Sequence, residues 1–372
     1  MEKIGFVINT IINAGPVNVV YDIVKNLDRT KFEPVILALK SNVEYRSRLM
    51  DFERLGLKAH FFNFSFLQME LRTKKCAKTL DKYIKDNNIK ILHLHGYHPV
   101  IISRHLSVQV KIVTTLHNIC YEDFVQKKGL FVGKYMGYRF CQNLIWSDYC
   151  VSITDYMKNY YIMHSKQKNI TTIYNGIASD SFSPTSKAGK NKLRIEHNIP
   201  TDAFVYIACN SLNKRKNTIA FINAANKFTD DKRKFLIVGD GPEEKKLKEA
   251  ARNNKNIIFL GRQSNVVPFL QMSDIYVTTS LSEGCPLAPM EAMFCYLPII
   301  YSDIPAHKEI FYLKRNELKP FMFRLNIEND LYETIKRTNL IENINEVSEY
   351  YKINFSASLM AKKYQEIYNQ LV

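Results

Sequence analysis

Short apolar runs alternate along the chain with stretches whose apolar residues recur every three or four positions. In the first half, KIGFVINT, EPVILALK, KILHLHG, KIVTTLH and YCVSIT are runs of strand length. Between them PVNVVYDIVKNL sets Val20, Ile23, Val24 and Leu27 at helical spacing, and KCAKTLDKYIKDNN sets Cys76, Leu80, Tyr83 and Ile84 on one helix face. The alternation restarts near residue 201, with FVYIACNS, KFLIVGD, NIIFLG, IYVTTS and PIIYSD as strands and TIAFINAANKF and EEKKLKEAARNN as helices. Largely apolar strands separated by helices predict a parallel sheet covered on both faces. Two such series predict two doubly wound α/β domains. Gly, Ser and Pro concentrate in IYNGIASDSFSPTSKAGK, which places the boundary there. The expected domains are residues 1–180 and 181–352, with SASLMAKKYQEIYNQLV closing the chain as one helix over 353–372.

Composition adds limits. With 372 residues, two domains fit better than one. The seven cysteines form no C-x-x-C pair and match neither a zinc site nor a disulfide framework, so a reducing, intracellular setting is expected. The opening MEKIGFVINTIINAGPV reads as a buried strand entering a glycine turn rather than a signal peptide, because its apolar stretch is short and lacks a small-residue cleavage site. No run approaches the ~18 apolar residues of a spanning helix. The net charge of +16 points to an anionic partner, whether nucleic acid, membrane surface or phosphorylated substrate.

Ligands of open α/β sheets bind beyond the carboxyl ends of the strands, so candidate chemistry lies just after each apolar run. After IYVTTS comes LSEGCPLAPMEA, with Glu283 and Glu291 eight positions apart. Glu283 falls in the loop, where it is expected to project into the crevice. Gly284 permits close approach of backbone to a ligand. Pro289 suits the first turn of a helix beginning near Leu287. Unpaired amides at that helix start would suit a diphosphate, and Glu291, about one turn in, would suit the diol of a ribose. The same spacing also fits a helix-capping glutamate followed by a solvated one.

Here the residues resemble a known family. EGCPLAPMEA is similar to the E-x7-E signature of retaining, nucleotide-sugar-dependent glycosyltransferases of the family 4 type, which include bacterial polysaccharide enzymes. AGPVNVV, VTTLHN, CVSIT, IYNGI, SLNKRKN, LIVGDGP, FLGR and PIIYSDIPAHKEI fall in that family's order, so the resemblance spans nearly the whole chain. It implies the GT-B fold: two facing Rossmann-like domains, the first for the acceptor and the second for the nucleotide sugar, with a C-terminal helix crossing back. It also implies a UDP- or GDP-sugar donor, a glycan or lipid-linked acceptor, retention at the transferred carbon and no cofactor or catalytic metal. No D-x-D segment is present to hold a metal-bound diphosphate.

The resemblance implies roles for individual residues. Lys216 matches the lysine that contacts the donor diphosphate, where a cation stabilises the leaving group. The family commonly has an arginine five positions earlier; Ser211 stands there, which leaves Arg215 or the helix amides as the candidate replacement. Gly15, in Ala14-Gly15-Pro16, matches a glycine loop that reaches the donor phosphates from the first domain. His117 matches a histidine beside the transferred sugar, with a positioning and electrostatic role. Glu283 is expected to serve the sugar hydroxyls or the developing positive charge. Gly284, Cys285, Pro286 and Leu287 would contact sugar and phosphates, Glu291 the ribose, and Arg262 the base. Tyr296 replaces a glycine common in the family. His93, His95 and His98 read as lining and packing rather than as a metal site. The basic stretch from Arg72 to Lys90 suits peripheral attachment to anionic lipid at the inner face of a cell membrane, or else a solvated helix face. Two rival readings are a nucleotide-sugar epimerase of the same fold and a basic nucleic-acid-binding protein. The motif context opposes the first. The second lacks the aromatic–basic interleaving of a nucleic-acid-binding surface.

Overall fold

The computed structural model describes residues 1–41, 47–311, 321–338 and 344–372. They form two units: Met1–Gly176 with Ala357–Val372, and Ile177–Ser356. The chain thus leaves the first unit after Gly176, inside the Gly/Ser/Pro-rich segment, and re-enters it with its last helix.

The first unit is built on seven strands: β1 (Glu2–Ile8), β2 (Phe32–Ala38), β3 (Ala59–Phe61), β4 (Ile89–His95), β5 (Lys111–Leu116), β6 (Tyr149–Ser152) and β7 (Ile170–Thr172). They lie parallel in the order β3-β2-β1-β4-β5-β6-β7. Pro34 is tolerated within β2 because β3 pairs only with Ile36–Ala38, which leaves the Pro34 end of the strand as a sheet edge. The second unit has six parallel strands: β8 (Phe204–Cys209), β9 (Arg233–Val238), β10 (Ile257–Gly261), β11 (Ile275–Thr278), β12 (Ile299–Ser302) and β13 (Phe321–Phe323). Their order is β10-β9-β8-β11-β12-β13. In each sheet the order reverses beside the first strand, between β1 and β4 and between β8 and β11. That reversal opens a crevice at the carboxyl ends of those strands.

The closing helix, Ala357–Leu371, is part of the first unit's core. Met360, Tyr364, Ile367 and Tyr368 are buried against Val20, Ile23 and Val24 of the helix Gly15–Lys25. The tyrosines bring polar atoms inside, and each finds a partner. The Tyr368 hydroxyl lies 2.7 Å from His93 Nδ1. The Tyr364 hydroxyl lies 2.9 Å from Thr115 Oγ1, which is 2.7 Å from His93 Nε2. A buried polar group left without its partner costs about 1–3 kcal/mol. Tyr368→Phe should therefore lower the stability of the first unit by about that amount, read as a lower urea midpoint in an unfolding curve. An unchanged midpoint would mean that this bond contributes nothing.

Candidate functional site

The two loops at the switch point of the second sheet carry the charged chemistry. After β8 the chain runs through Asn210–Asn213 into a single 3-10 turn, Lys214–Lys216. Asn213 caps that turn, its Oδ1 accepting from the Lys216 amide at 3.1 Å. Asn217 follows in the left-handed conformation, φ 51°. After β11 the Thr279 hydroxyl lies 2.9 Å from the carbonyls of both Lys216 and Asn217, and the Leu281 amide donates to the Arg215 carbonyl at 2.8 Å. These bonds tie the two loops into one wall.

Glu283 closes that wall. Its Oε2 accepts from Arg215 Nη1 at 2.6 Å, and its Oε1 accepts from Lys216 Nζ and from Ser280 Oγ, the latter at 2.6 Å. Arg215 Nη1 also donates to the Ser282 carbonyl. The carboxylate is 9% exposed, so it lies beneath the two cations rather than projecting freely into the crevice, as its loop position had suggested. Burial raises its pKa. The Lys216 and Arg215 charges and the bonds from Lys216 and Ser280 outweigh that, holding the carboxyl down from 4.5 to about 2. A further layer supports it: Ser302 Oγ donates to the Ser280 carbonyl at 2.6 Å, and buried His307 sets Nδ1 3.1 Å from the Ser302 carbonyl. Burial lowers the His307 pKa to about 4, so this imidazole is neutral at pH 7.

The other expected residues divide. Glu291 sits in the helix Leu287–Phe294, half-buried, and is near enough to the buried thiol of Cys209, at the end of β8, to help burial raise its pKa. It therefore shares the switch point with Glu283. Gly284, Cys285, Pro286 and Leu287 form the turn into this helix, with Pro286 at its cap and the Cys285 thiol 3.7 Å from Met290 Sδ. The helix start offers fewer amides than expected: Pro289 has none, and the Leu287 amide is engaged by the Cys285 carbonyl. Lys216 and Arg215 are the cations beside it, both bonded to Glu283. Ser211 is exposed, and Arg215 donates to Glu283 beside Lys216. Arg262 is exposed beyond β10, an edge strand separated from β8 by β9, and is not part of this cluster. Tyr296 stands at a position that favours glycine: its φ is +63°, the left-handed end of the helix, and it is held there by Lys352, 4.4 Å above its ring, and by Glu349.

GDGP also shapes this wall. A Cβ on Gly239, φ +136°, would stand 1.9 Å from the Asn210 carbonyl oxygen, and one on Gly241 would stand 2.5 Å from that of Leu212. The β9 turn therefore seats the loop that carries Arg215 and Lys216. Sequence reasoning assigned no role here to Thr279, Ser280, Ser302 or His307. The available signal was that all but His307 are polar residues at or just beyond the carboxyl ends of apolar strands.

In the first unit, His117 follows β5. Its Nε2 lies 2.8 Å from His95 Nδ1. Burial lowers its pKa to about 3, so it is a neutral hydrogen-bonding group at pH 7. His93 and His95 share a face of β4, as their spacing requires, but His98 turns to Glu70 at 2.9 Å; the three go to separate partners. Gly15 is exposed at the start of its helix, and a Cβ there would meet nothing within 4 Å. The fold of this unit therefore does not itself demand glycine.

Known proteins match this arrangement. The pattern described as Glycosyltransferase Family 4 matches residues 14–181, and that described as Glycosyl transferases group 1 matches residues 189–317. The chain belongs to these glycosyltransferases. The O-antigen biosynthesis glycosyltransferase WclY of Escherichia coli is 27% identical over 379 residues, covering 99% of this chain and 98% of its own. The UDP-Gal:alpha-D-GlcNAc-diphosphoundecaprenol alpha-1,3-galactosyltransferase of Escherichia coli is 28% identical over 270 residues, covering 69% of this chain and 68% of its own. Among solved structures, a glycosyltransferase from Rickettsia africae superposes with a TM-score of 0.79 at 18% identity, covering 100% of this chain and 98% of its own. Anabaena Alr3699/HepE in complex with UDP and glucose superposes with a TM-score of 0.77 at 16% identity, covering all of both chains. At those identities the structures establish the fold, which is GT-B.

Two outcomes follow for this glycosyltransferase. The Glu283 carboxyl has a lower pKa folded than unfolded, so its stabilisation is complete above about 4.5 and is lost as pH falls through about 2. Across that window the wild type should lose up to roughly 3 kcal/mol more stability than Glu283→Gln, measured by urea unfolding at stepped pH. Gly239→Ala should displace the Asn210–Lys216 loop and weaken nucleotide binding at least about tenfold, a loss of roughly 1.4 kcal/mol by calorimetry; unaltered affinity would mean that the loop does not bind the nucleotide.

Proposed function

We propose that this glycosyltransferase moves a hexosyl residue, with retention, from a UDP- or GDP-sugar to a growing lipid-linked bacterial glycan such as an O-antigen or capsule. The observation that carries the reading is the Lys216–Glu283–Arg215 cluster at the switch point, with Glu291 on the adjoining helix. The acceptor class is supported by WclY, named for O-antigen synthesis, and by the galactosyltransferase, named for a diphosphoundecaprenol-linked acceptor. UDP is favoured over GDP by that second name and by the UDP bound to HepE.

Lys216 and Arg215 share one carboxylate while no donor is bound, which offsets only one of their two charges. A donor diphosphate competes for the same two cations. As it draws them, Glu283 is released to accept hydrogen bonds from the sugar hydroxyls and to favour the positive charge that develops on the sugar ring. In this reading the two side-chain cations take the charge that grows on the leaving diphosphate, so no metal is required. Glu291 accepts from the ribose hydroxyls. Gly15 and neutral His117 of the first unit serve the phosphates and the sugar, and His117 acts as a hydrogen-bonding group rather than a proton-abstracting base. Retention follows if the leaving diphosphate oxygen itself takes the acceptor proton on the face it departs from. The exposed basic helix Thr73–Asp86 supports work at an anionic membrane surface from the cytoplasmic side.

The test is nucleotide release from a panel of UDP- and GDP-sugars, with and without EDTA. One donor should be slowly hydrolysed by the wild type, indifferent to EDTA, and about a hundredfold more slowly by Glu283→Ala, a loss of roughly 2.7 kcal/mol. Lys216→Met should weaken binding of the same nucleotide. Failure of the wild type to bind any donor of the panel in calorimetry would overturn the reading.

A further inference from the structure

The helix Leu130–Asn143 faces the wrong way for its composition. Its buried positions include Gly133 and Gly137. A Cβ on Gly133 would come within 2.4 Å of the Val125 backbone, and one on Gly137 within 2.6 Å of the Tyr121 ring. The glycines thus let this helix lie directly on the helix Cys120–Lys128, and that close contact takes up the side where large residues ordinarily go. Leu130, Phe131, Val132, Tyr135 and Tyr138 are exposed instead, Phe131 by 87%.

The patch continues onto the helix Phe66–Leu71, where Phe66, Leu67 and Leu71 are also exposed. The two helices adjoin: Arg139 Nη1 donates to Glu70 Oε2 at 2.9 Å, and Lys128 Nζ lies 5.8 Å from the Phe66 ring. Lysines surround the apolar residues, with Lys127, Lys128 and Lys134 exposed on the hairpin and Arg72, Lys74, Lys75 and Lys78 on the helix that follows. The acidic groups nearby are engaged, Glu70 by Arg139 and His98 and Asp123 by Lys127; exposed Glu122 adds one more negative charge. An exposed apolar patch of this extent marks an interaction surface.

We propose that this ridge, Leu130–Tyr138 with Phe66–Leu71, inserts into the headgroup layer of an anionic phospholipid bilayer, with the basic helix Thr73–Asp86 supplying attraction. The proposal deepens the reading above, resting on it only in that a lipid-linked acceptor lies in such a bilayer. Charge decides between a bilayer and a second copy of the chain. Self-association through this face would set lysine against lysine on a chain of net charge +16, whereas anionic headgroups complement a lysine ring around an apolar tip. The apolar ridge anchors, and the stretch singled out from its charge alone assists.

Co-sedimentation with vesicles tests it. The full-length chain should bind vesicles of phosphatidylcholine with about one-third phosphatidylglycerol at least tenfold more tightly than phosphatidylcholine alone. Leu130→Ser/Phe131→Ser/Tyr135→Ser should lose at least about tenfold of that binding while keeping its melting curve and its acceptor-free hydrolysis of donor. Should that triple variant fold poorly, Phe131→Trp in a Trp146→Phe background gives a second readout: its emission should shift to the blue on anionic vesicles. Failure of the wild type to bind either vesicle, equal binding by the triple variant, no emission shift, or a wild-type dimer in light scattering that the triple variant abolishes would each overturn the proposal. Donor hydrolysis is measured without vesicles, so loss of this proposal and loss of the proposed function are separate outcomes.

Discussion

A buried carboxylate needs compensation, and much of the second unit's crevice is arranged to supply it. Glu283 left alone at 9% exposure would take up a proton. Lys216 and Arg215 prevent that, but only because their loop is held against the β11 loop by Thr279 and Leu281 and seated from beneath by the turn at Gly239. The ion pairs therefore set the positions of three strand ends at once. They also leave the site charged and poised. Two cations shared with a single carboxylate carry one net positive charge, which favours an incoming dianion over water.

The two units use their switch points differently. The second concentrates full charges. The first places neutral polar groups there: His93, His95 and His117 have pKa values driven down by burial, the two His93 nitrogens meet Thr115 and Tyr368, and His95 Nδ1 meets His117 Nε2. A neutral, hydrogen-bonding wall suits an uncharged sugar, and a cationic wall suits a diphosphate. The closing helix takes part in this division, since Tyr368 meets His93 Nδ1 and Tyr364 meets the Thr115 hydroxyl that bonds His93 Nε2.

Glycine serves close approach twice, to different ends. Gly239 and Gly241 bring one loop onto another and so shape the site. Gly133 and Gly137 bring one helix onto another and so displace large apolar side chains to the surface. In the first case the absent side chain makes room for a carbonyl. In the second it makes room for a whole helix, and the consequence appears on the opposite face.

The apolar runs by themselves determined the strands, because a strand buried on both faces must be apolar along its length and little else in a chain is. They also determined that Lys216 and Glu283 follow strands, and the E-x7-E spacing placed Glu291 one turn into a helix. The short strands Ala59–Phe61, Ile170–Thr172 and Phe321–Phe323 left no such signature, since three residues carry no period. What the tertiary structure decided is which strand ends are neighbours. That brought Arg215 onto Glu283 beside Lys216, put Arg262 on an edge, sank Glu283 beneath its cations and enlisted Ser302 and His307 behind it. The helix Leu130–Asn143 was illegible for a related reason. Local periodicity assumes that large residues point inward, and here only the distance to a neighbouring helix, set by Val125 and Tyr121, determines that they point out.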